Sequence, residues 1–432
     1  MRYLSTHGEA SPETLGTALS AGIAADGGLF VPEALPLFRT DAFSGREALP
    51  TLAAGLLEPF FRGDALTTDL PAICAESLDI PLPIRVLAPR AWMLELFHGP
   101  TAAFKDFGAR FLAGCLSRMH VEKTPTLTML VATSGDTGAA VAAAFHRRRG
   151  FRVVILYPDG GVSPRQAHQL GCFDDNVHAL RVAGSFDDCQ ALAKRALGDE
   201  VLKQSVPLTS ANSISLGRLL PQIVYYAHAV FAHWLAHGRR LNFVIPTGNL
   251  GNALACALAR ATGLPIGDIV LATNANRVLP DYFAGGDYSP RDSVTTLANA
   301  MDVGAPSNFE RLRWLYTDDA ALRRAFQAES VDDDSIRDEI RTSQSRYGTL
   351  ICPHTATATR ALTRLRQRGD DRDYAIVATA HPAKFEQVIE PLIQAHVEVP
   401  PALQALLDRA THSEPMAADY GALRERLLAL AR

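Results

Sequence analysis

Lys105 stands between Phe104 and Phe107 in the run Glu95-Leu-Phe-His-Gly-Pro-Thr-Ala-Ala-Phe-Lys-Asp-Phe-Gly-Ala-Arg110, just after the helix-starting signal Gly99-Pro100-Thr101. An ammonium held among aromatic groups loses hydration, and its charged form becomes less favourable. The neutral amine is a nucleophile that can form a Schiff base with a carbonyl. The ordinary alternative is a lysine whose stem packs on an apolar face while its ammonium reaches water. Taken alone, Lys105 fits that alternative better; residues elsewhere in the chain reverse the balance.

In Gly248-Asn-Leu-Gly-Asn252 the glycines let backbone N–H groups close on an anion at a helix N-terminus, where the dipole also favours negative charge. The turn suits a single phosphate. It is not GxGxxG, and no acidic ribose partner follows at the expected distance. Ser134-Gly-Asp-Thr-Gly138 can hold an α-carboxylate through Ser134, Thr137 and N–H groups, while Asp136 either contacts a ligand hydroxyl or caps a helix. Asn212 can cap the helical stretch that carries Arg218, a forked donor suited to phosphate unless it is a surface arginine. His354-Thr-Ala-Thr357 and Thr379-Ala-His-Pro-Ala-Lys384 lie at loop ends. His98 and His381 read as oriented loop histidines, because no second metal ligand lies at helical spacing.

The elements that must position these groups alternate between strand and helix. Leu127–Ala132, Val153–Tyr157, Val177–Val182, Leu241–Ile245, Asp268–Thr273 and Tyr374–Thr379 are short apolar runs, as expected of strands buried on both faces. Helices are expected over Leu52–Phe61, Ala139–Arg149, Ser213–Trp234, Ala253–Ala261 and Asp332–Tyr347, from Ser163-Pro164 and Ser185 onward, and around His354. This alternation indicates right-handed βαβ units and open parallel sheets, which bind ligands where strands end and helices begin. Gly285–Ser307 is a long loop rich in Gly, Ser, Asp and Pro, a candidate functional segment.

With 432 residues the chain exceeds the size at which one core stops growing, so two domains are expected. Apolar content of 47% and charged content of 20% are those of an ordinary globular protein. A net charge of -4 gives no reason to expect nucleic acid or an anionic membrane as partner. Six scattered cysteines without a CxxC pair read as reduced thiols. No apolar run is long enough to span a bilayer, and the first residues open no secretory pattern, so a cytoplasmic protein is expected.

Phe104-Lys-Asp-Phe107, Asn299-Ala-Met-Asp302 and Thr379-Ala-His-Pro-Ala-Lys-Phe385 together are highly specific, the glycine turn Thr247–Asn252 only moderately so. Beside them stand Asp26-Gly-Gly-Leu-Phe-Val-Pro32, the rest of Leu94–Arg110, Ala132-Thr-Ser-Gly-Asp-Thr-Gly-Ala-Ala140, Val154-Ile-Leu-Tyr-Pro158, Ser210-Ala-Asn-Ser-Ile-Ser215 and Ser307-Asn-Phe-Glu-Arg311. Nearly end to end, the chain resembles the bacterial-type threonine synthases, in the tryptophan-synthase-like group of pyridoxal-phosphate enzymes. The resemblance implies two open, mostly parallel α/β domains with the cofactor, pyridoxal 5′-phosphate, in the cleft between them. The implied parts are an N-terminal region over 1–82, a large cofactor-binding domain from 83–112 and 213–400, a small domain over 113–212 and a C-terminal tail over 401–432.

It also implies a role for each group. Lys105 would bond the cofactor and shuttle protons. Gly248, Asn249, Leu250, Gly251 and Asn252 would cradle its phosphate, Asp136 would lie near its 3′-oxygen, and Thr355 would face its pyridine nitrogen. Ser134 and Thr137 would hold the substrate carboxylate. Asn212 and Arg218, helped by Lys384, would grip the substrate phosphate. The implied reaction converts O-phospho-L-homoserine and water to L-threonine and phosphate, in a monomer or homodimer without a metal. A serine/threonine dehydratase or cysteine synthase of the same cofactor group would need no second phosphate site. A nucleotide-binding oxidoreductase lacks its fingerprint here, and intact Lys105 argues against a non-catalytic relative.

Overall fold

The apolar runs form two sheets in the computed structural model, which describes residues 1–120 and 125–431. A small antiparallel pair precedes them: β1 (Tyr3–Ser5) beside β2 (Phe30–Pro32). The larger sheet contains β3 (Ile84–Ala88), β4 (Ala91–Glu95), β9 (Leu241–Pro246), β10 (Ile266–Thr273), β11 (Phe326–Ser330) and β12 (Tyr374–Ala378) in the order β11-β10-β9-β12-β4-β3. All its neighbours are parallel except β3 and β4. The smaller sheet is parallel throughout, in the order β13-β7-β6-β5-β8, from β5 (Leu127–Ala132), β6 (Phe151–Pro158), β7 (Val177–Ala183), β8 (Leu208–Ser210) and β13 (Glu414–Ala417). β9 and β12 are buried along their whole length, which is why they read as continuous apolar runs.

Local chemistry fixes most helix starts. Ser163 and Ser185 each close a capping box, with Gln166 and Asp188 respectively, and Pro164 occupies the first position of its helix. Asp332 caps the helix Asp333–Tyr347 and Cys352 caps Pro353–Gln367. Three expectations change. The stretch Ser213–Trp234 is two helices, Leu216–Leu219 and Gln222–His237, broken at Pro221, because proline has no N–H and clashes with the preceding turn. Asn212 does not cap: the flanking residue is Ser215, with no side-chain cap bond, and the Asn212 carbonyl accepts from the Ser215 N–H. The C-terminal tail expected over 401–432, described through residue 431, supplies β13 on the edge of the smaller sheet and the helix Tyr420–Leu430 packed on it.

Among the described residues no helix is long and apolar enough to cross a membrane. All six cysteines are buried and free. Two helices that carry polar groups of the cleft meet at a glycine. A Cβ on Gly108, in the helix Lys105–Met119, would lie 2.7 Å from the Arg218 carbonyl oxygen and 3.1 Å from its Cα. Gly108→Ala gains about 1 kcal/mol of helix propensity, but overpacking against backbone costs roughly 1–3 kcal/mol. We therefore expect a net loss of about 1 kcal/mol or more in urea unfolding, together with reduced turnover; an unchanged midpoint would mean that the two helices separate freely.

Candidate active site

All candidate groups but Thr355, which opens a helix that follows another helix, come after the C-terminal end of a parallel strand. β4 leads to Lys105, β5 to Thr133–Gly138, β8 to Asn212, β9 to Thr247–Asn252 and β12 to Thr379–Lys384. The two sheets meet through these loops. Ser163 donates its hydroxyl hydrogen to the Lys384 carbonyl at 2.7 Å, Arg165 donates to the Ala383 carbonyl at 2.7 Å, and Gln169 donates to the Thr101 carbonyl at 3.2 Å.

Lys105 opens its helix behind Phe104, whose ring centroid is 4.5 Å from Nζ. Its amine makes no hydrogen bond among the described residues. Burial and then the nearby Arg218 guanidinium pull its pKa down to about 7, against a smaller upward pull from Asp136. The lysine is held in place by the preceding loop. The Asp106 carboxylate accepts from the Thr101 N–H at 2.9 Å and the Thr101 hydroxyl at 2.8 Å, and the Phe104 N–H donates to the Thr379 carbonyl at 2.8 Å.

Asp136 is buried and already engaged, with Lys384 Nζ 2.8 Å and Gln166 Nε2 3.1 Å from its Oδ1. Burial pulls its carboxyl up, but Lys384, His354 and the Gln166 amide outweigh that and leave it below the usual range. Lys384 also donates to the Thr101 carbonyl at 2.7 Å, so here it serves Asp136 and the Lys105 loop. Thr133 organises the turn: its hydroxyl accepts from the Gly135 N–H at 3.0 Å and the Gly138 N–H at 2.9 Å. The hydroxyls of Ser134 and Thr137 are left without a partner among the described residues.

Arg218 is fully buried, with Nη1 on the Ala211 carbonyl at 2.7 Å and Nε unpartnered; burial lowers its pKa to about 10, so it stays charged. The Asn212 Oδ1 is likewise buried without a partner. In the glycine turn Leu250 takes φ 63° ahead of the helix Gly251–Ala261, and a Cβ on Gly248 would sit 2.8 Å from the Met301 Cα. Asn252 Oδ1 accepts from Tyr225 at 2.6 Å and Tyr226 at 2.7 Å, while its buried Nδ2 has no partner. Asn249 donates to Ser213 Oγ at 2.6 Å and accepts from the Ser307 N–H at 2.5 Å.

Thr355 is buried in the first turn of its helix, its Oγ1 3.3 Å from Cys352 Sγ. Beside it His354 Nε2 accepts from the Ala300 N–H at 3.1 Å, which places the proton on Nδ1; burial lowers this imidazole to about 4. His98 and His381 lie outside this cluster as oriented loop histidines, His98 on Glu95 at 2.7 Å and His381 accepting from the Ala383 N–H at 3.1 Å.

Sequence reasoning passed over Thr133, Gln166, Asn299, Asn308 and the tyrosine pair. Gln166 carried a visible signal as the third residue of the Ser163 capping box, and its amide then reaches Asp136. Asn299 lies in the long loop, its Nδ2 3.4 Å from Gln166 Oε1 and its buried Oδ1 without a partner. The unpartnered donors of Asn252 and Arg218, the open anion turn and a free amine form a donor set that fits a phosphorylated carbonyl cofactor.

Comparisons with known proteins agree. The chain matches the pyridoxal-phosphate dependent enzyme family over residues 85–382, the threonine synthase N terminus over 2–78 and the threonine synthase C-terminal family over 355–426. It is 37% identical over 415 residues to the threonine synthase of Serratia marcescens, covering 96% of each chain. The threonine synthase of Escherichia coli (strain K12) is 36% identical over 414 residues, with 95% of each covered. The crystal structure of the Escherichia coli threonine synthase superposes with a TM-score of 0.91 at 35% identity, covering 99% of this chain and 100% of that one. The pyridoxal-phosphate-bound enzyme of Brucella melitensis gives 0.90 at 31%, with both chains covered in full. The chain belongs to the threonine synthase family of pyridoxal-phosphate-dependent enzymes.

Proposed function

We propose that the substrate is O-phospho-L-homoserine, converted with water to L-threonine and phosphate, and that Lys105 is the base. The observation that carries this is an amine held near neutrality beside a buried, charged arginine with a free Nε. A lysine at pKa 7 is half neutral at pH 7, against about one in three thousand for an unperturbed one. When bound, pyridoxal phosphate supplies an electron sink for the negative charge that develops on the substrate.

The chain's own residues do the rest. Gly248–Asn252 hold the cofactor phosphate at the helix N-terminus, with Asn252 Nδ2 as an added donor. Asp136 would serve the side of the cofactor that bears its 3′-oxygen, and Thr355 would offer its hydroxyl to the pyridine nitrogen. Ser134 and Thr137 hold the substrate carboxylate. Arg218 and Asn212 hold the leaving phosphate, and Lys384, through Asp136 and Thr101, keeps the cleft loops in register. Lys105 Nζ takes a proton from Cα and then one from Cβ, returns one to Cγ once phosphate has left, and returns the other to Cα after water has added at Cβ, the water's spare proton leaving with the phosphate. Burial keeps this amine basic enough to accept a proton and neutral enough to be ready.

Mixing the chain with cofactor and O-phospho-L-homoserine is expected to release phosphate and threonine in equal amounts. Phosphate accompanied by a keto acid instead of threonine would favour dehydratase-like chemistry. Arg218→Ala is expected to lower kcat/KM about tenfold to a hundredfold while changing cofactor affinity little; equal losses in both would remove Arg218 from the substrate site. In the apoprotein, acylation of Lys105 is expected to level off just above pH 7. Removing the Arg218 cation in Arg218→Met relieves repulsion on the ammonium, so the inflection should move to higher pH. An inflection near the ordinary lysine value in the unmodified chain would sink the assignment of Lys105 as the base.

A further inference from the structure

The block Ser307-Asn-Phe-Glu-Arg311 has no part in the chemistry above, yet it contains one of the most deeply buried cations. Arg311 is 1% exposed. Its Nε and Nη2 donate to the Phe30 carbonyl at 3.1 and 3.0 Å, Nη2 also to the Ile214 carbonyl at 2.7 Å, and Nη1 to Asn308 Oδ1 at 3.0 Å. Every acceptor is neutral. The adjacent Glu310 turns instead to the Leu29 N–H and the Thr6 hydroxyl. Burying a cation without a directly bonded counterion is costly; burial, opposed in part by the Glu310 charge, brings this guanidinium down to about 9, still charged at neutral pH.

The Arg311 bond fixes which way the Asn308 amide faces. With Oδ1 committed to Arg311, Nδ2 donates to the Asn249 carbonyl at 3.0 Å and lies 3.5 Å from the Ser213 carbonyl. Asn249 belongs to the anion turn, and Ser213 and Ile214 to the segment between Asn212 and Arg218. The guanidinium thus joins three pieces of chain: the phosphate turn, the segment leading to Arg218, and β2.

We propose that Arg311 is a positioning residue for the phosphate cradle, holding Asn308 against Asn249 so that the turn's N–H groups converge, and supplying a buried positive charge that favours the phosphate they receive. The inference rests on reading Gly248–Asn252 as that cradle. A lone structural arginine explains the hydrogen bonds to Phe30 and Ile214. It does not explain why the remaining contact runs through Asn308 to the turn, or why so buried a charge hydrogen-bonds only neutral acceptors, with Glu310 acting on it without a direct contact.

The test removes cofactor from the enzyme and reloads it with pyridoxal 5′-phosphate or with phosphate-free pyridoxal, reading each affinity from the absorbance of the bound chromophore. Arg311→Gln and Asn308→Ala are each expected to weaken pyridoxal 5′-phosphate about tenfold or more while leaving pyridoxal nearly unchanged, so the preference for the phosphorylated form falls. Equal weakening of both compounds would make Arg311 a folding residue only and overturn the proposal. If Arg311→Gln fails to fold, Asn308→Ala decides in the same way. Asn252→Ala, which removes the unpartnered amide of the turn, separates the two ideas. A wild-type preference in Asn252→Ala would discard the cradle reading itself. A reduced preference there, with Asn308→Ala and Arg311→Gln unchanged, would discard only the role of Arg311.

Discussion

A buried amine that is to stay largely neutral must be kept from pairing with a buried carboxylate, and the Asp136–Lys384 ion pair does this for Lys105. Left free, a buried Asp136 would seek a cation, and a carboxylate–ammonium pair at Lys105 would raise the lysine's pKa and hold it protonated. With Lys384 at 2.8 Å and Gln166 beside it, Asp136 is already satisfied and exerts only a weak pull on Lys105. Two buried charges are matched so that a third group can remain neutral. Because Lys384 follows β12 while Asp136 follows β5, the same contact helps to hold the two sheets together.

Two buried cations are tied to the loops of the candidate site. Arg218 and Arg311 are both fully buried, both donate to neutral acceptors, and neither has a carboxylate partner among the described residues. Such burial is costly, offset in part by the charges of Asp106 and Glu310, and a bound anion would offset it further. If these groups receive an anion as proposed, stability and affinity are linked, and ligand binding should raise the protein's resistance to unfolding.

Much of this could be read from the sequence because local chemistry and tertiary role coincide. The apolar runs Leu127–Ala132 and Leu241–Ile245 are strands for the reason they looked like strands, burial on both faces. The anion turn was visible because Gly248 and Gly251 flank it, and Lys105 because aromatic residues do. What stayed hidden depends on partners distant in the chain. Lys384 looked free for a phosphate, and only the fold brings Asp136 to it. The Arg311–Asn308–Asn249 connection spans residues whose meeting no local pattern announces. Pro221 was a readable helix break that the long apolar stretch around it outweighed, and β13 is too short and too polar to look like a strand before β7 is there to receive it.

The pairing of β13 with β7 bears on how the chain is made. Residues 414–417 complete an edge of a sheet whose other strands lie between residues 127 and 210. During synthesis that edge waits, with unpaired N–H and C=O groups, until residues 414–417 have left the ribosome. β4 waits similarly for β12, more than two hundred and fifty residues later. Exposed strand edges invite pairing with other chains. The nascent protein therefore depends for much of its translation on whatever shields those edges, and a ribosome that stalls late would release a chain with its helices formed and both sheets open.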